Sequence, residues 1–243
     1  MPLTPVARRS VPDEVYDQLL GELLDGGLAP GEALPSERRL AEVLGVSRPA
    51  VREAMQRLAH AGYVDVRQGD ATTVRDFRRL GGLDLLPRLL LARGGLDLAV
   101  ARSILEARAH VGPKIAELAA RRGGPEVVPL LDQAVAALRD DADPVRRQHV
   151  ALAFWEHLVD AADSITFRLM FNSMRVAYLP LIEALAPLMA AEVDRVDAYA
   201  ALTRAVGAGD GEEARDCAAD LLGAATTSLI DAIDQMQSTE EPS

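Results

Sequence analysis

Cysteine is almost missing from this chain: Cys217 is the single one in 243 residues. An intramolecular disulfide is therefore excluded, and a reducing cytoplasm fits. On its Ala-rich stretch Cys217 reads as a small core residue rather than a redox sensor. Lysine is equally scarce, Lys114 standing alone, so arginine carries nearly all the positive charge. No apolar run reaches ~18 residues without a charge or a breaker, so no membrane-spanning helix is expected. The opening residues MPLTPVARRSV lack the apolar segment of a secretory signal. No glycine-rich phosphate loop, nucleophile elbow or suitably spaced carboxylate pair occurs, so the chain is not read as an enzyme. Aromatic residues make up only 4% of the chain, so a place where they gather stands out.

What is present reads as globular: 49% of residues are hydrophobic and 26% charged, over a length that fits one large or two modest domains. The net charge of −11 looks wrong for a nucleic-acid binder until it is divided. Residues 33–79 hold nine arginines against six acids, whereas residues 81–243 hold 15 basic and 25 acidic residues. A basic tip on an acidic body orients a molecule at DNA and keeps the body off the phosphates.

The basic segment has a pattern of its own. Pro12 and Asp13 start a helix that runs to about Asp25, with Val15, Leu19, Leu20 and Leu23 as its apolar stripe and Gly26-Gly27 as its stop. After the turn LAPGEAL, Ser36 caps a second helix with apolar positions Leu40, Val43 and Leu44, and Gly45 closes it in the left-handed conformation. Ser47 caps a third, with Pro49 in the first turn, where it costs no intrahelical hydrogen bond. Val51, Ala54, Met55 and Leu58 face inward; Arg48 and Arg52, four apart, share the outward face. That is the layout of a recognition helix whose first turns enter the major groove, and an arginine there can fork onto guanine O6/N7 or grip phosphate. Arg38, near the start of the preceding helix, can reach groove or backbone. Short β-prone runs at Tyr63–Val66 and Thr72–Val74 flank Gln68-Gly69-Asp70, forming a wing whose tip meets the minor groove. Taken singly, these arginines are solvated surface; their order of caps, turn glycine and hairpin makes a winged helix-turn-helix.

Residues 11–77, with LPSERRLAEVLGVSRPAVREAMQRL at their centre, resemble the DNA-binding domain of the GntR family of transcription regulators. The resemblance implies that Arg38, Arg48 and Arg52 make the main DNA contacts, that Ser47 and Pro49 lie beside bases or phosphates, and that Gln68-Gly69 forms the wing tip. The chain departs from the family where many members carry a basic residue and then glycine: here stand Asp70 and Ala71. An acid at that place repels phosphate.

Residues 80–95 read as a linker helix, LDLLPRLLLARGG, interrupted at Pro87. From Asp97 onward the pattern is Ala/Leu-rich and helical, with helices expected near 97–122, 125–139, 144–162, 164–189, 192–208 and 211–235, and Asp210 capping the last. Residues 96–237 read as one all-helical domain, for which the family resemblance implies effector binding and dimerisation, and 238–243 as a disordered tail. The fold class is mainly α: a winged helix-turn-helix (residues 1–79) and a helical bundle.

The body resembles the ligand-binding domain of the FadR-type branch of that family, many of whose members hold a metal through one aspartate and three histidines. By the resemblance those four positions fall on Ala151, Trp155, Tyr199 and Leu221, which lack the usual donors, so no metal or other cofactor is expected. His149 and His157 lie eight apart, about 12 Å along a helix, too far for one ion; His60 and His110 are scattered. The segment FWEHLVDAADSITFRLMFNSMRVAYLPLI, with Asn172, Met174 and Tyr178, is similar to the fatty acyl-CoA-responsive FadR regulators, as is Thr72-Thr73-Val74 before Asp76-Phe77. Phe154, Trp155, Phe167, Phe171 and Tyr178 gather most of the body's aromatics; they are either plain core or the lining of an acyl pocket. In the second case Arg108, Trp155, Asn172, Tyr178 and Tyr199 are the candidate ligand residues, with Arg108 suited to phosphates or a carbonyl. The expected function is a homodimeric regulator that binds a near-palindromic operator and responds to a long-chain acyl-CoA; a sensor of small organic acids or amino acids is the alternative.

Overall fold

The computed structural model describes residues 10–24, 26–66, 71–91 and 95–240. The chain divides into two compact units, Met1–Leu96 and Asp97–Ser243.

In the first unit, α1 (Val11–Leu24) starts from a reciprocal cap: the Asp13 backbone N–H donates to Ser10 Oγ (3.3 Å) while the Ser10 N–H donates to the Asp13 carboxylate (3.2 Å). Its stripe Val15, Leu19, Leu20 and Leu23 is buried as the periodicity expects. It packs on α3 (Arg48–His60), which offers Val51, Ala54, Met55 and Leu58. The intervening α2 (Glu37–Leu44) is capped by Ser36, whose side chain accepts from the Arg39 N–H, and is closed by Gly45 at φ +66°. Only glycine takes that conformation without strain. Val43 departs from expectation: it is 64% exposed, and Leu40 and Ala41 are the buried positions. Helical rotation turns Val43 roughly 100° away from the stripe made by positions 40, 41 and 44.

The hairpin is shorter than the sequence suggests. β1 (Val64–Asp65) pairs antiparallel with β2 (Thr73–Val74). The segment read as a plain turn before α2 joins the sheet: Ala33 bridges Thr73, and the Leu34 N–H donates to the Thr72 carbonyl (2.8 Å). The wing's second strand is thus covered on both edges, which fixes its register. After α4 (Phe77–Leu80), the linker also differs from expectation. A 3₁₀ turn (Leu83–Leu85) leads into α5 (Leu86–Leu90), and Pro87 sits in the first turn of α5, where it starts the helix instead of interrupting it. Leu85 enters the first unit's core, and Arg88 donates to Asp17 of α1 (2.8 Å). Arg88 also lies 5.4 Å from the Tyr16 ring centre, on which Arg57 stacks at 4.5 Å.

Arg57 also donates to Asp13. Hydrogen bonds from Ser10 and then Arg57 lower the Asp13 carboxyl from its usual 3.8 to about 2. A depressed folded-state value stabilises the fold fully above the unfolded pKa and is lost as pH falls through the folded one. Thermal unfolding followed from pH 5 to pH 1.5 should show this: Asp13→Asn lowers stability above pH 4, and its difference from the wild type shrinks toward pH 2. An equal difference at both ends would remove the linkage.

The second unit is all helix: α6 (Leu98–Arg122), α7 (Val127–Asp140), α8 (Pro144–Ala161), α9 (Ile165–Tyr178), α10 (Ile182–Leu185), α11 (Ala190–Val193), α12 (Val196–Gly207) and α13 (Gly211–Glu240). The long helices α6 and α13 lie against each other, closely enough at Gly112 that a Cβ there would stand 2.3 Å from a Leu222 methyl. Asp210 caps α13 as expected, accepting from the N–H groups of Glu212 and Glu213 (both 3.1 Å). The single helix expected over 164–189 does not form: α9 stops at Tyr178, and a 3₁₀ turn (Leu179–Leu181) and α10 follow. Pro180 and Pro187 each remove a helical N–H donor, which breaks the run there. The helix expected over 192–208 is likewise two, α11 and α12, parted at Asp194-Arg195. Among the described residues no helix is long and apolar enough to cross a membrane.

Candidate nucleic-acid interface and effector site

The first unit presents its arginines from two helix starts. Ser47 accepts from the Ala50 N–H (3.4 Å) and so fixes the first turn of α3, placing Arg48, Pro49 and Arg52 on the exposed side while Val51 and Ala54 are buried behind them. Arg52 is held by both oxygens of Glu37 on α2 (3.0–3.3 Å), and Arg38 by Glu42 (3.3 Å). Among the described residues no acid pairs with Arg48. The structure therefore exposes Ser47, Arg48, Pro49 and Arg52 together at the start of α3, tied to α2 through Glu37, and exposes Arg38 on α2. Gln68 and Gly69, with Asp70, lie outside the described residues.

The second unit gathers a different set. Arg108 of α6 is paired with Glu192 of α11, whose carboxylate also accepts from the Tyr199 hydroxyl of α12 (3.1 Å). The Tyr178 hydroxyl of α9 donates to Gln148 Oε1 of α8 (3.0 Å). Glu192 is 1% exposed, Gln148 2% and Trp155 7%, and Tyr199 is fully buried. Phe154 meets the Tyr199 ring edge-on at 4.9 Å. Burial works against Arg108's charge, but the Glu192 carboxylate outweighs it and keeps the guanidinium above its usual range. Burial first, and Glu192 second, push the Tyr199 hydroxyl far up, so it stays a donor.

Four of the expected ligand residues, Arg108, Trp155, Tyr178 and Tyr199, thus converge on one buried region. Asn172, half-buried on α9, makes no hydrogen bond with them. Sequence reasoning missed Gln148 and Glu192. Gln148 stands three and seven residues before Ala151 and Trp155, on the same helical face, which was a usable signal. Glu192, in MAAEVDRV, looks like any surface acid; only α11's fold buries it. Two arginines clamp that short helix: Arg147 donates to the Val193 carbonyl and to Asp194 (both 2.7 Å), and Arg195 to the Asp220 carbonyl (2.7 Å).

Among the described residues, several buried nitrogen donors here complete no hydrogen bond, including Arg108 Nη1, Gln148 Nε2 and Trp155 Nε1, the last facing the Tyr199 oxygen. The positions assigned to metal ligands by family resemblance, Ala151, Trp155, Tyr199 and Leu221, are all buried in the same core. Among the described residues no cluster of three or more His, Cys, Asp or Glu side chains is placed to hold a metal ion.

Two family models match these two units. The model for bacterial regulatory proteins of the gntR family covers residues 12–74, and the FCD domain model covers residues 103–224. The chain is a GntR-family transcription regulator. Its FCD domain, the effector-binding domain of this branch, is the helical unit. The regulator is 56% identical to the HTH-type transcriptional regulator Mce2R of Mycobacterium tuberculosis, over 95% of its own length and 96% of that protein's. It is 33% identical to the fatty acid metabolism regulator protein of Vibrio cholerae over 39% of its own length and 34% of that protein's. A crystal structure of a GntR-family regulator from Pseudomonas syringae shares the fold, with TM-score 0.51 and 16% identity over 95% of this chain and 89% of that one.

Proposed function

We propose that this regulator is a cytoplasmic homodimer that reads a near-palindromic operator with its winged helix-turn-helix and releases it when a long-chain fatty acyl-CoA binds the FCD domain. Arg48 and Arg52 enter the major groove, Arg38 grips the backbone, Ser47 and Pro49 pack beside the bases, and Gln68-Gly69 touches the flanking groove. Arg108, Trp155, Asn172, Tyr178 and Tyr199 serve the effector. Two-fold protein symmetry calls for a two-fold site. Release requires the effector to bind the non-matching dimer geometry more tightly than the operator-bound one.

The observation that carries the effector assignment is the substitution at the four metal-ligand positions. Alanine, tryptophan, tyrosine and leucine stand there beside buried donors that lack partners. A small carboxylate held by a metal has no support in that set, whereas an apolar chain ending in an acceptor group suits it. The Vibrio relative's name points the same way.

Operator binding at fixed salt tests the proposal, since such affinities depend on salt. DNA from upstream of the regulator's own gene is titrated with C8–C20 acyl-CoAs, with free CoA and small organic acids as controls. Release by long-chain acyl-CoA alone is expected. Release by a small acid, or by none of these, sinks the lipid assignment.

A further inference from the structure

We propose that Glu192 sets the head-group specificity of the effector site, admitting a neutral carbonyl and turning away a free carboxylate. This rests on the helical unit's cluster being the effector site, as proposed above.

The argument is a balance of charge and of hydrogen-bonding capacity. Both Arg108 contacts and the Tyr199 hydroxyl go to the Glu192 carboxylate. The charges acting on the Tyr178 and Tyr199 hydroxyls are those of Arg108 and Glu192, which oppose each other; Arg108 weighs more at Tyr178 and Glu192 more at Tyr199. What remains unsatisfied among the described residues is donor capacity: Arg108 Nη1 and Gln148 Nε2 are buried N–H groups without an acceptor, and Trp155 Nε1 completes no hydrogen bond although it faces the Tyr199 oxygen. Turning the Gln148 amide would set Nε2 on the Tyr178 oxygen but would leave the Gln148 carbonyl and the Tyr178 O–H without partners. Buried donors without acceptors are costly, so the complementary ligand group accepts hydrogen bonds and donates none. A carboxylate meets that description but brings a second negative charge beside Glu192, and like charges in a poorly solvated site disfavour one another. A thioester, ester or amide carbonyl takes the spare donors at no charge cost. The carboxylate that an effector acid would have supplied to Arg108 is already built into the protein.

The test uses matched neutral and anionic probes on two chain lengths: decanoyl- and butyryl-N-acetylcysteamine thioesters against decanoate and butyrate. Trp155 is the only tryptophan, so its emission in the full-length protein reports on the site directly. In the wild type the thioester of at least one pair should bind about tenfold or more tighter than its acid, the scale of one well-made buried hydrogen bond. Glu192→Gln keeps the shape and unpairs Arg108, and should move that ratio about tenfold or more toward the acid. Trp155→Phe, read by calorimetry, keeps the ring and removes one donor, and should weaken the thioester about five- to tenfold. If Glu192→Gln does not fold, the wild-type ratio and Trp155→Phe decide. An acid that binds the wild type as tightly as its thioester, or a ratio that Glu192→Gln leaves unmoved, overturns the proposal. Discrimination by the butyryl pair with no binding of the decanoyl pair supports Glu192's role and sinks the lipid reading. No binding by any of the four probes overturns both.

Discussion

Replacing Arg108 by alanine should destabilise the helical unit by about 3–5 kcal/mol, the scale seen when one partner of a buried ion pair is removed. The cost comes from Glu192, a carboxylate at 1% exposure that would be left with only the Tyr199 hydroxyl to support it. The Arg108–Glu192 attraction itself contributes less, because taking both charges out of water has already offset much of it. Arg108→Met combined with Glu192→Met separates the two ideas. If an uncompensated carboxylate is the penalty, the double variant recovers most of the loss. If the pair's attraction is the source, the double variant is as unstable as the single one. Chemical denaturation of the full-length protein, read at Trp155 within the same core, gives both values. The FCD domain model matches residues 103–224, which spans both partners, so the readout lies within one matched domain.

The sequence and the structure agree best where local chemistry decides. Caps at Ser36, Ser47 and Asp210, the left-handed Gly45 and the stripe of α1 follow from the few residues around them. They were legible for that reason. The misreadings fall where tertiary packing decides. Val43 looked apolar enough to be core, yet the neighbours of α2 lie on another side. Residues 31–34 have no strand signal of their own and pair because the wing offers an open edge. Pro87 reads as a breaker in isolation and as a helix start once Leu85 is anchored in the core. The buried cluster around Arg108 and Glu192 was half legible. Its aromatic and arginine members stood out against a chain poor in aromatics, but Glu192 is buried by the packing of α11, whose end Arg147 holds from α8 and which Arg195 ties to α13. No local pattern announces that.

Arg48→Ala should cost more operator affinity than Arg52→Ala, and the two should differ in kind from Arg38→Ala. All three guanidinium groups are exposed on the helix-turn-helix surface, but they are not equally available. Arg52 is engaged through two nitrogens with Glu37, and part of what it gains on a base or phosphate is lost in releasing or sharing that carboxylate. Among the described residues Arg48 has no such acid to leave. Its removal should weaken the operator complex on the order of 100-fold, at the upper end for a bidentate base contact, and Arg52→Ala nearer tenfold. If Arg48 reads a base, random DNA should be bound almost as before, and the loss is one of specificity. Arg38, on the preceding helix, should act on the backbone: Arg38→Ala weakens operator and random DNA alike and reduces the slope of log affinity against log salt by about one. Titrating both DNAs at several salt concentrations distinguishes the roles. Equal losses on both DNAs for Arg48→Ala would assign Arg48 to phosphate and leave base reading to another side chain of α3. Operator affinity unchanged by all three substitutions would remove this face of the helix-turn-helix from the DNA altogether.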